Sequence, residues 1–407
     1  MLRASFLALL LTIGCYGQKY YVYVGNLSTR SVLLAWGTTD GKNTIGRSSP
    51  SHGTATVKIA GQTLESRQNW MVIGDLKPDT EYSYEVSLNG TVIGTNKFRT
   101  WSEANKLAFM VIGDFGNGSK TQYAIAKAML DEFTKRSGST NPIRFVLTTG
   151  DNVYGDINNI ILGAKNTGAD DKDWERKFFE PYQGLLAHVP FYPTLGNHDG
   201  NETESHRDLP AYLDNFFFPD DKPARYYSFT YGDNFAQFFG LDSTLNTESG
   251  PARAQYLENG PQWKWMQEEF SRSKAAWKIP YYHHPVFNAG PRHVASYREL
   301  QHWIQFFSRS GVKVVFNGHE HNFQASEVNA ASGNIRFVTS GAGGELRGGS
   351  VVGRMRQNNI AAWTAQNHFL VVEMEGRTMT ITPISWEPVV VVDPDGKPFP
   401  MPLEVKQ

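Results

Sequence analysis

An all-β sandwich followed by an α/β domain with two mixed sheets is the fold that this sequence predicts, and three observations predict it. Short runs that alternate, or are β-branched and aromatic, fill residues 19–100. Continuous apolar runs separated by helical periodicity fill residues 107–390. Several of those apolar runs end alike, on a glycine beside an aspartate, an asparagine or a histidine.

The chain starts with MLRASFLALLLTIGCYGQ, in which Arg3 precedes an apolar run from Phe6 to Ile13. The run is far shorter than the roughly 20 residues that span a bilayer. It predicts a secretory signal over residues 1–17 and an exported protein, periplasmic or secreted. A buried core helix at the start is the structural alternative. Cys15, the single cysteine of the chain, ends this segment. TIGC weakly resembles a bacterial lipoprotein box, with Thr12 where an aliphatic residue is usual, so a lipid anchor on Cys15 is the lesser alternative. With no cysteine beyond residue 17, the mature fold has no disulfide, cysteine nucleophile or thiolate metal site. A net charge of −1 over 407 residues gives no electrostatic reason to expect nucleic acid or an anionic membrane as partner.

From Lys19 the runs YYVYVG, SVLLAWG, TATVKIA, NWMVIG, EYSYEVSL and TVIGTNKFRT read as strands, with turn signals at Asp40-Gly41 and Asn89-Gly90. Strands at this spacing predict a sandwich. In LKPDTEYSYEV, the pattern of Leu76, Pro78, Thr80 and Tyr82, with Trp36 in an early strand, resembles a fibronectin type III domain. The resemblance makes Tyr82 a tyrosine corner and Trp36 a core filler, both structural roles. TWSEANK follows as a short polar linker.

LAFMVIGD then reads as a strand buried on both faces, KTQYAIAKAMLDEFTKR as a helix and IRFVLTTGD as the next strand, a unit that implies a parallel pair. The rhythm returns with a helical DWERKFFEPYQGLLAH, the strand PFYPTLGNHD, a helical PQWKWMQEEFSRSK, then KIPYYHHP, a further helix and KVVFNGHEH. Antiparallel hairpins are expected at YYSFTYGDNFAQFFGLDS and HFLVVEMEGRTMTITPIS, and residues 391–407 as a C-terminal tail.

Ligands of open α/β sheets collect beyond the carboxyl ends of the strands. Those ends carry Asp114, Asp151 with Tyr154, Asn197 with His198, His283, and His319 with His321. Singly, each has a bland reading, as a turn former, a helix cap or a structural histidine. GDFGNGSK has near-Walker glycine spacing, but Ser119 precedes Lys120, the reverse of a P-loop. No Gly-x-Ser-x-Gly stands in the sequence to support acyl transfer. Together, the carboxylates, phenol, amide and imidazoles suit hard-to-borderline cations such as iron, zinc or manganese. Seven donors exceed what one ion needs and suggest two ions sharing a carboxylate. His283 and His284 are neighbours that a strand would point to opposite faces. Pro280, three residues before His283, suggests a local edge or bulge.

The order GD, GDxxY, GNHD, H and GHxH resembles the metallophosphoesterase superfamily and, within it, the purple acid phosphatases. Many superfamily members open with Asp-x-His. Here Gly116 takes the histidine's place, and purple acid phosphatases supply a tyrosine at the position of Tyr154. The resemblance implies metal one on Asp114, Asp151, Tyr154 and His321, and metal two on Asp151, Asn197, His283 and His319, with Asp151 bridging. The implied cofactor is a dinuclear centre of Fe(III) with Fe(II), Zn(II) or Mn(II). The implied partner is a small-molecule phosphate ester, hydrolysed as a monoester in acid by hydroxide held at the centre. His198 and His293 match the family's substrate histidines, as general acid or phosphate binder, and Arg292 is a phosphate neighbour. His52, His188, His206, His302 and His368 read as structural. NETESHRDLPAYLDNFFFP is expected to shape the pocket. A phosphodiesterase or nucleotidase on the same core, and a surface-binding protein with an inactive centre, remain the alternatives.

Overall fold

The computed structural model describes residues 19–39, 53–155, 168, 174–200, 209–219, 222–244, 257–293 and 300–407. The expected signal with Cys15, the Asp40-Gly41 turn, His52, His206 and residues 201–208 of the pocket-shaping run lie outside them. Among the described residues no helix is long and apolar enough to cross a membrane.

Among the described residues, seven strands build the N-terminal sandwich. β1 (Tyr21–Leu27), β2 (Val32–Gly37) and β5 (Trp70–Ile73) form one sheet. β3 (Ala55–Ile59), β4 (Gln62–Ser66), β6 (Glu81–Leu88) and β7 (Thr91–Arg99) form the other, in the order β4-β3-β6-β7. The sequence patterns name every strand except β4, whose residues are mostly exposed and carry no apolar alternation. Trp36 is buried in the core. The Tyr82 hydroxyl accepts the Lys77 N–H at 2.9 Å, closing the corner before β6 as a tyrosine corner should.

The second domain stacks two mixed sheets. The first runs β10-β9-β8-β18-β19-β20, from β8 (Lys106–Ile112), β9 (Ile143–Thr148), β10 (Phe191–Pro193), β18 (Phe369–Glu375), β19 (Thr378–Ile384) and β20 (Leu403–Lys406). β8, β9 and β10 are parallel, and the rest are antiparallel. The expected tail therefore supplies an edge strand. LEVK alternates buried and exposed residues, a pattern too short to stand out in the sequence.

The second sheet runs β11-β12-β13-β14-β16-β15-β17. Its strands are β11 (Tyr227–Tyr231), β12 (Ala236–Gly240), β13 (Trp277–Tyr281), β14 (Val314–Asn317), β15 (Phe323–Ser326), β16 (Arg336–Ser340) and β17 (Ile360–Thr364). β12, β13, β14 and β16 are parallel. Pro280 lies in interior β13, opposite Phe239 of β12, not at an edge or bulge. The ladder to β14 is recorded at Tyr281 and Phe316, so this side of β13 tolerates a residue without an N–H.

Aromatic side chains join the two sheets. Phe109 meets Phe238 edge-on at 5.2 Å, and Phe145 meets Phe238 and Phe229 at 5.1 and 5.4 Å. α1 (Lys120–Arg136) and α2 (Glu180–Leu186) bury Met129, Tyr182 and Leu186 in the same core. α3 (Pro210–Asn215) is short, whereas α4 (Pro261–Arg272) and α5 (Gln301–Arg309) pack Phe270 and Trp303 into a second cluster. Ser119 caps α1 by accepting the Gln122 N–H, which gives the near-Walker run a structural role.

Trp101 differs from the expected polar linker. It is buried among Phe145, Tyr192, Phe229 and Tyr231, at ring separations of 5.4–6.1 Å. Arg144 donates to Thr100 O at 2.9 Å and to Asp79 at 2.7 Å, and the Tyr84 hydroxyl donates to Ala187 O at 2.7 Å. The sandwich is thus bolted to the second domain. Trp101→Ala should cost about 3–5 kcal/mol, as expected for emptying a buried indole site. Calorimetry should show the parent unfolding in one transition and the variant at lower temperature.

Candidate metal centre

Parallel strands of both sheets end on one side of the molecule, and the seven expected ligands meet there. Asp114 follows β8, Asp151 and Tyr154 follow β9, Asn197 follows β10, His283 follows β13, and His319 and His321 follow β14. Asp114, Asp151 and His319 have φ of 56°, 51° and 70°. Left-handed backbone at a residue other than glycine is strained, and it concentrates at functional sites. Here it aims three side chains across the sheet ends.

The donors fall into two groups. In one, the Tyr154 hydroxyl lies 3.2 Å from His321 Nε2 and 3.5 Å from Asp114 Oδ1, and the last two are 3.5 Å apart. In the other, Asn197 Oδ1 lies 3.0 Å from both His283 Nε2 and His319 Nδ1, and these nitrogens are 3.1 Å apart. Asp151 Oδ2 is 3.4 Å from His283 Nε2, so this carboxylate stands between the groups. Donors about 2.0–2.2 Å from one ion lie about 3 Å from each other, so these spacings fit a coordination sphere. His283 Nδ1 lies 2.8 Å from Thr149 O and donates to it, so Nε2 is the nitrogen left to face a cation, which would displace its proton.

The charges also call for cations. Asp114, Asp151, Asp199 and Glu320 are all buried within one neighbourhood. Burial pushes the Asp114 carboxyl well above its usual range, with His283 opposing and Asp151 adding to the rise. Burial also raises Asp151, but the His283 and His198 charges outweigh it and hold that carboxyl well below its usual range. Burial lowers His283, yet Asp151 and Asp114 drive it up to about 10. Burial draws His321 down to about 3, helped by the Arg347 charge, and holds His319 well below its usual range, helped by the imidazoles around it. Both are neutral donors through the acid range. Tyr154 is pushed well above its usual range by burial and by Asp151 and Asp114, so a cation is needed to form its phenolate.

Gly116 decides which donor serves the first group. A Cβ there would sit 1.7 Å from Asn152 O and 2.7 Å from Val153 Cα. The Gly116 carbonyl accepts the Tyr154 N–H at 2.8 Å, and buried Lys177 donates to the Tyr154 carbonyl at 2.9 Å. The turn that delivers Tyr154 thus occupies the space a histidine at 116 would need.

His198 donates its N–H to Asp151 at 2.8 Å, and its ring lies 4.7 Å from that of Tyr154. His293 stacks on His319 at 3.9 Å, with its Nδ1 3.3 Å from Glu320. Both expected substrate histidines therefore border the donors, one on each side. His284 lies near the centre as well, its ring 4.5 Å from His319 and its Nδ1 3.0 Å from the Ser243 hydroxyl. β13 ends at Tyr281, so strand alternation does not separate His283 from His284. His284 offers a donor atom within 4.8 Å of those of His283 and His319, and His283 Nε2 faces Asn197 and Asp151. His188, His302 and His368 lie elsewhere, against Phe133, Trp263 and Phe323.

Sequence reasoning missed four residues. Asp199 accepts N–H groups of Asn152, Val153 and Gly196. Glu320 accepts the N–H groups of His293 and Arg292 and the Asn288 amide. Lys177 and Arg347 are the others. Asp199 and Glu320 stand inside the GNHD and GHEH runs, a signal that could have found them; nothing nearby marks Lys177 or Arg347.

Two clusters of oxygen and imidazole donors sharing one carboxylate, at the strand ends of paired mixed sheets, define a dinuclear phosphoesterase centre. The calcineurin-like phosphoesterase family model matches residues 107–323, more than half of the chain, and the chain belongs to that family. Within it, the chain is purple-acid-phosphatase-like. It is 28% identical over 264 residues to purple acid phosphatase 7 of Arabidopsis thaliana, covering 60% of this chain and 72% of that one. An uncharacterised protein of Mycobacterium tuberculosis is 23% identical over 335 residues, covering 75% of this chain, and the match spans 61% of that relative's length. The solved purple acid phosphatase PPD1 of yellow lupin (Lupinus luteus) superposes with a TM-score of 0.65 at 15% identity, covering 94% of this chain and 73% of that one.

Gly116→Ala should cost the first donor group its cation while leaving the chain folded. Metal analysis should find about one ion in place of two; two retained ions would refute the steric argument.

Proposed function

We propose that this chain is an exported acid phosphatase that hydrolyses phosphate monoesters at a dinuclear centre of Fe(III) with Fe(II), Zn(II) or Mn(II). The observation that carries the reading is Tyr154, buried 3.2 Å from His321 and 3.5 Å from Asp114. A phenolate is a hard anionic donor and favours a trivalent ion. Asp114, Asp151, Tyr154 and His321 would hold metal one, and Asp151, Asn197, His283 and His319 metal two. When bound, such a pair polarises a phosphoryl oxygen and lowers the pKa of water, to roughly 7 already for zinc.

The chain's own residues do the rest. Asp151, held as a carboxylate below its usual range, balances the charge of both sites. His198 is partly exposed beside Tyr154, where it can protonate the departing oxygen. His293, held by Glu320 through its N–H at 3.1 Å and stacked on His319, is placed over metal two's ligand as a phosphate-binding group. The strained ligands keep the donors in place before any substrate arrives, so little reorganisation is needed during the reaction. The N-terminal segment supports export through its short apolar run.

Iron-loaded protein should show a visible charge-transfer band that Tyr154→Phe removes; an unchanged spectrum would reject the phenolate. His198→Ala should slow hydrolysis of alkyl phosphates by about 10²-fold or more, and that of nitrophenyl phosphate far less. Equal losses on both would remove His198 from proton donation.

A further inference from the structure

The loop after β16, residues 341–350, crosses the ligand backbones. Gly344 donates its N–H to Asp114 O at 3.0 Å, and Arg347 donates its N–H to His321 O at 3.3 Å. Arg347 is thereby anchored on a ligand of the first group, with its side chain 23% exposed. Its guanidinium has one recorded partner among the described residues, Glu345 at 3.3 Å. Nε is buried without one. A planar fork left with free donors beside a phosphoesterase centre is built for an anion.

Two further arginines adjoin it. The 341–350 loop packs on the loop carrying His293, since a Cβ at Gly349 would sit 3.3 Å from Pro291 Cβ. Arg292 on that second loop is exposed, and its N–H is tied to Glu320. The Arg354 guanidinium lies over the same loop, with its nitrogens 3.2–3.3 Å from a Cβ built on Gly290. Among the described residues, the acidic groups at this rim are exposed Glu345 and buried Glu320, the latter occupied by His293, Arg292 and Asn288. Arg347 and Arg292 therefore stand on two touching loops beside the centre, and Arg354, from the turn at 352–354, lies over the second of them. The phosphoryl group being hydrolysed already has the cations of the centre and His198 and His293 to neutralise it.

We infer that Arg347, with Arg292 and Arg354 on the adjoining segments, receives a second anionic group of the substrate, a phosphate or a carboxylate carried on the leaving side. The inference rests on the phosphatase reading for the first group and goes beyond it in naming the substrate class. Arg347 acts here as a specificity residue, with its fork presented by the backbone bond to His321.

Binding to the metal-loaded protein tests this without turnover. Methylphosphonate, methylenediphosphonate and phosphonoacetate are titrated calorimetrically into the parent, Arg347→Gln, Arg347→Lys and Arg292→Gln. Arg347→Gln should weaken one or both two-anion probes by about 10- to 100-fold, the loss expected for a charge-assisted hydrogen bond. Methylphosphonate should weaken markedly less, and Arg347→Lys should recover part of the loss. A larger loss for methylenediphosphonate identifies the second group as phosphate, and one for phosphonoacetate as carboxylate. Equal losses for all three probes, or none, would overturn the inference, and Arg292→Gln gives the same comparison should Arg347 variants not fold. Parent protein that binds both metals and the probes but hydrolyses no phosphate ester would refute the phosphatase reading, an outcome distinct from equal probe losses in a protein that is an active phosphatase, which overturns only the role of Arg347.

Discussion

The carboxylate of Asp199 holds the centre together. One oxygen accepts the N–H groups of Asn152 and Val153 at 2.8 and 3.1 Å, and the other accepts the Gly196 N–H and the Asn152 amide, both at 2.8 Å. These bonds join the turn after β9 to the turn after β10. The first turn carries Asp151 and Tyr154, and the second carries Asn197 and His198. One buried acid therefore sets the spacing of four functional side chains. Burial and the Asp151 charge push Asp199 up to about 7, so the clamp weakens while Asp151 is unneutralised. A cation on Asp151 relieves that repulsion, lowers Asp199 and strengthens its hold on the turns that bind the cation. Occupancy and geometry support each other.

The strained ligands follow from the same economy of space. Left-handed backbone at a residue other than glycine costs on the order of 1–2 kcal/mol, and three ligands adopt it. Each is offset by bonds that an ordinary strand end would lack. Asp114 donates its N–H to Gly150 O at 3.0 Å, and Asp114 Oδ2 accepts the His319 N–H at 2.9 Å. The ends of β8, β9 and β14 are thus tied to one another. A ligand from one sheet holds the backbone of a ligand from the other, so the site also fastens the two sheets together.

Much of this was legible in the sequence because strand ends are marked twice, by an apolar run and by a glycine before a polar residue. The order of those marks locates Asp114, Asp151, Asn197, His319 and His321, whereas His283, with no glycine beside it, and Tyr154 come from the family resemblance. The residues that stayed hidden act at a distance in the chain. Lys177 supports Tyr154 from a helical turn 23 residues on, and Arg347 reaches His321 from a glycine-rich loop. β20 escaped because four alternating residues resemble any coil, and Trp101 because one buried aromatic cannot be told from its polar neighbours. His284 was set aside by a rule for strands, three residues past the strand's end.

Gly116 shows why the first motif lacks its histidine. In this fold the position facing metal one can be filled by a side chain from the turn after β8, or by one from the turn after β9, and the two turns touch. With the Tyr154 N–H bonded to Gly116 O, Asn152 O occupies the place of any Cβ at 116. The loss of an Asp-x-His histidine and the gain of a tyrosine are then a single change, since neither fits while the other's backbone is in place. The change alters the chemistry as well as the packing. An imidazole is a neutral donor that divalent ions accept readily, whereas a phenolate brings a negative charge into a site already crowded with carboxylates. A phenolate in such a site would suit a harder, more highly charged ion better than an imidazole would. On the proposed reading, the glycine at 116 would thereby favour a trivalent metal through the space that it leaves to Tyr154.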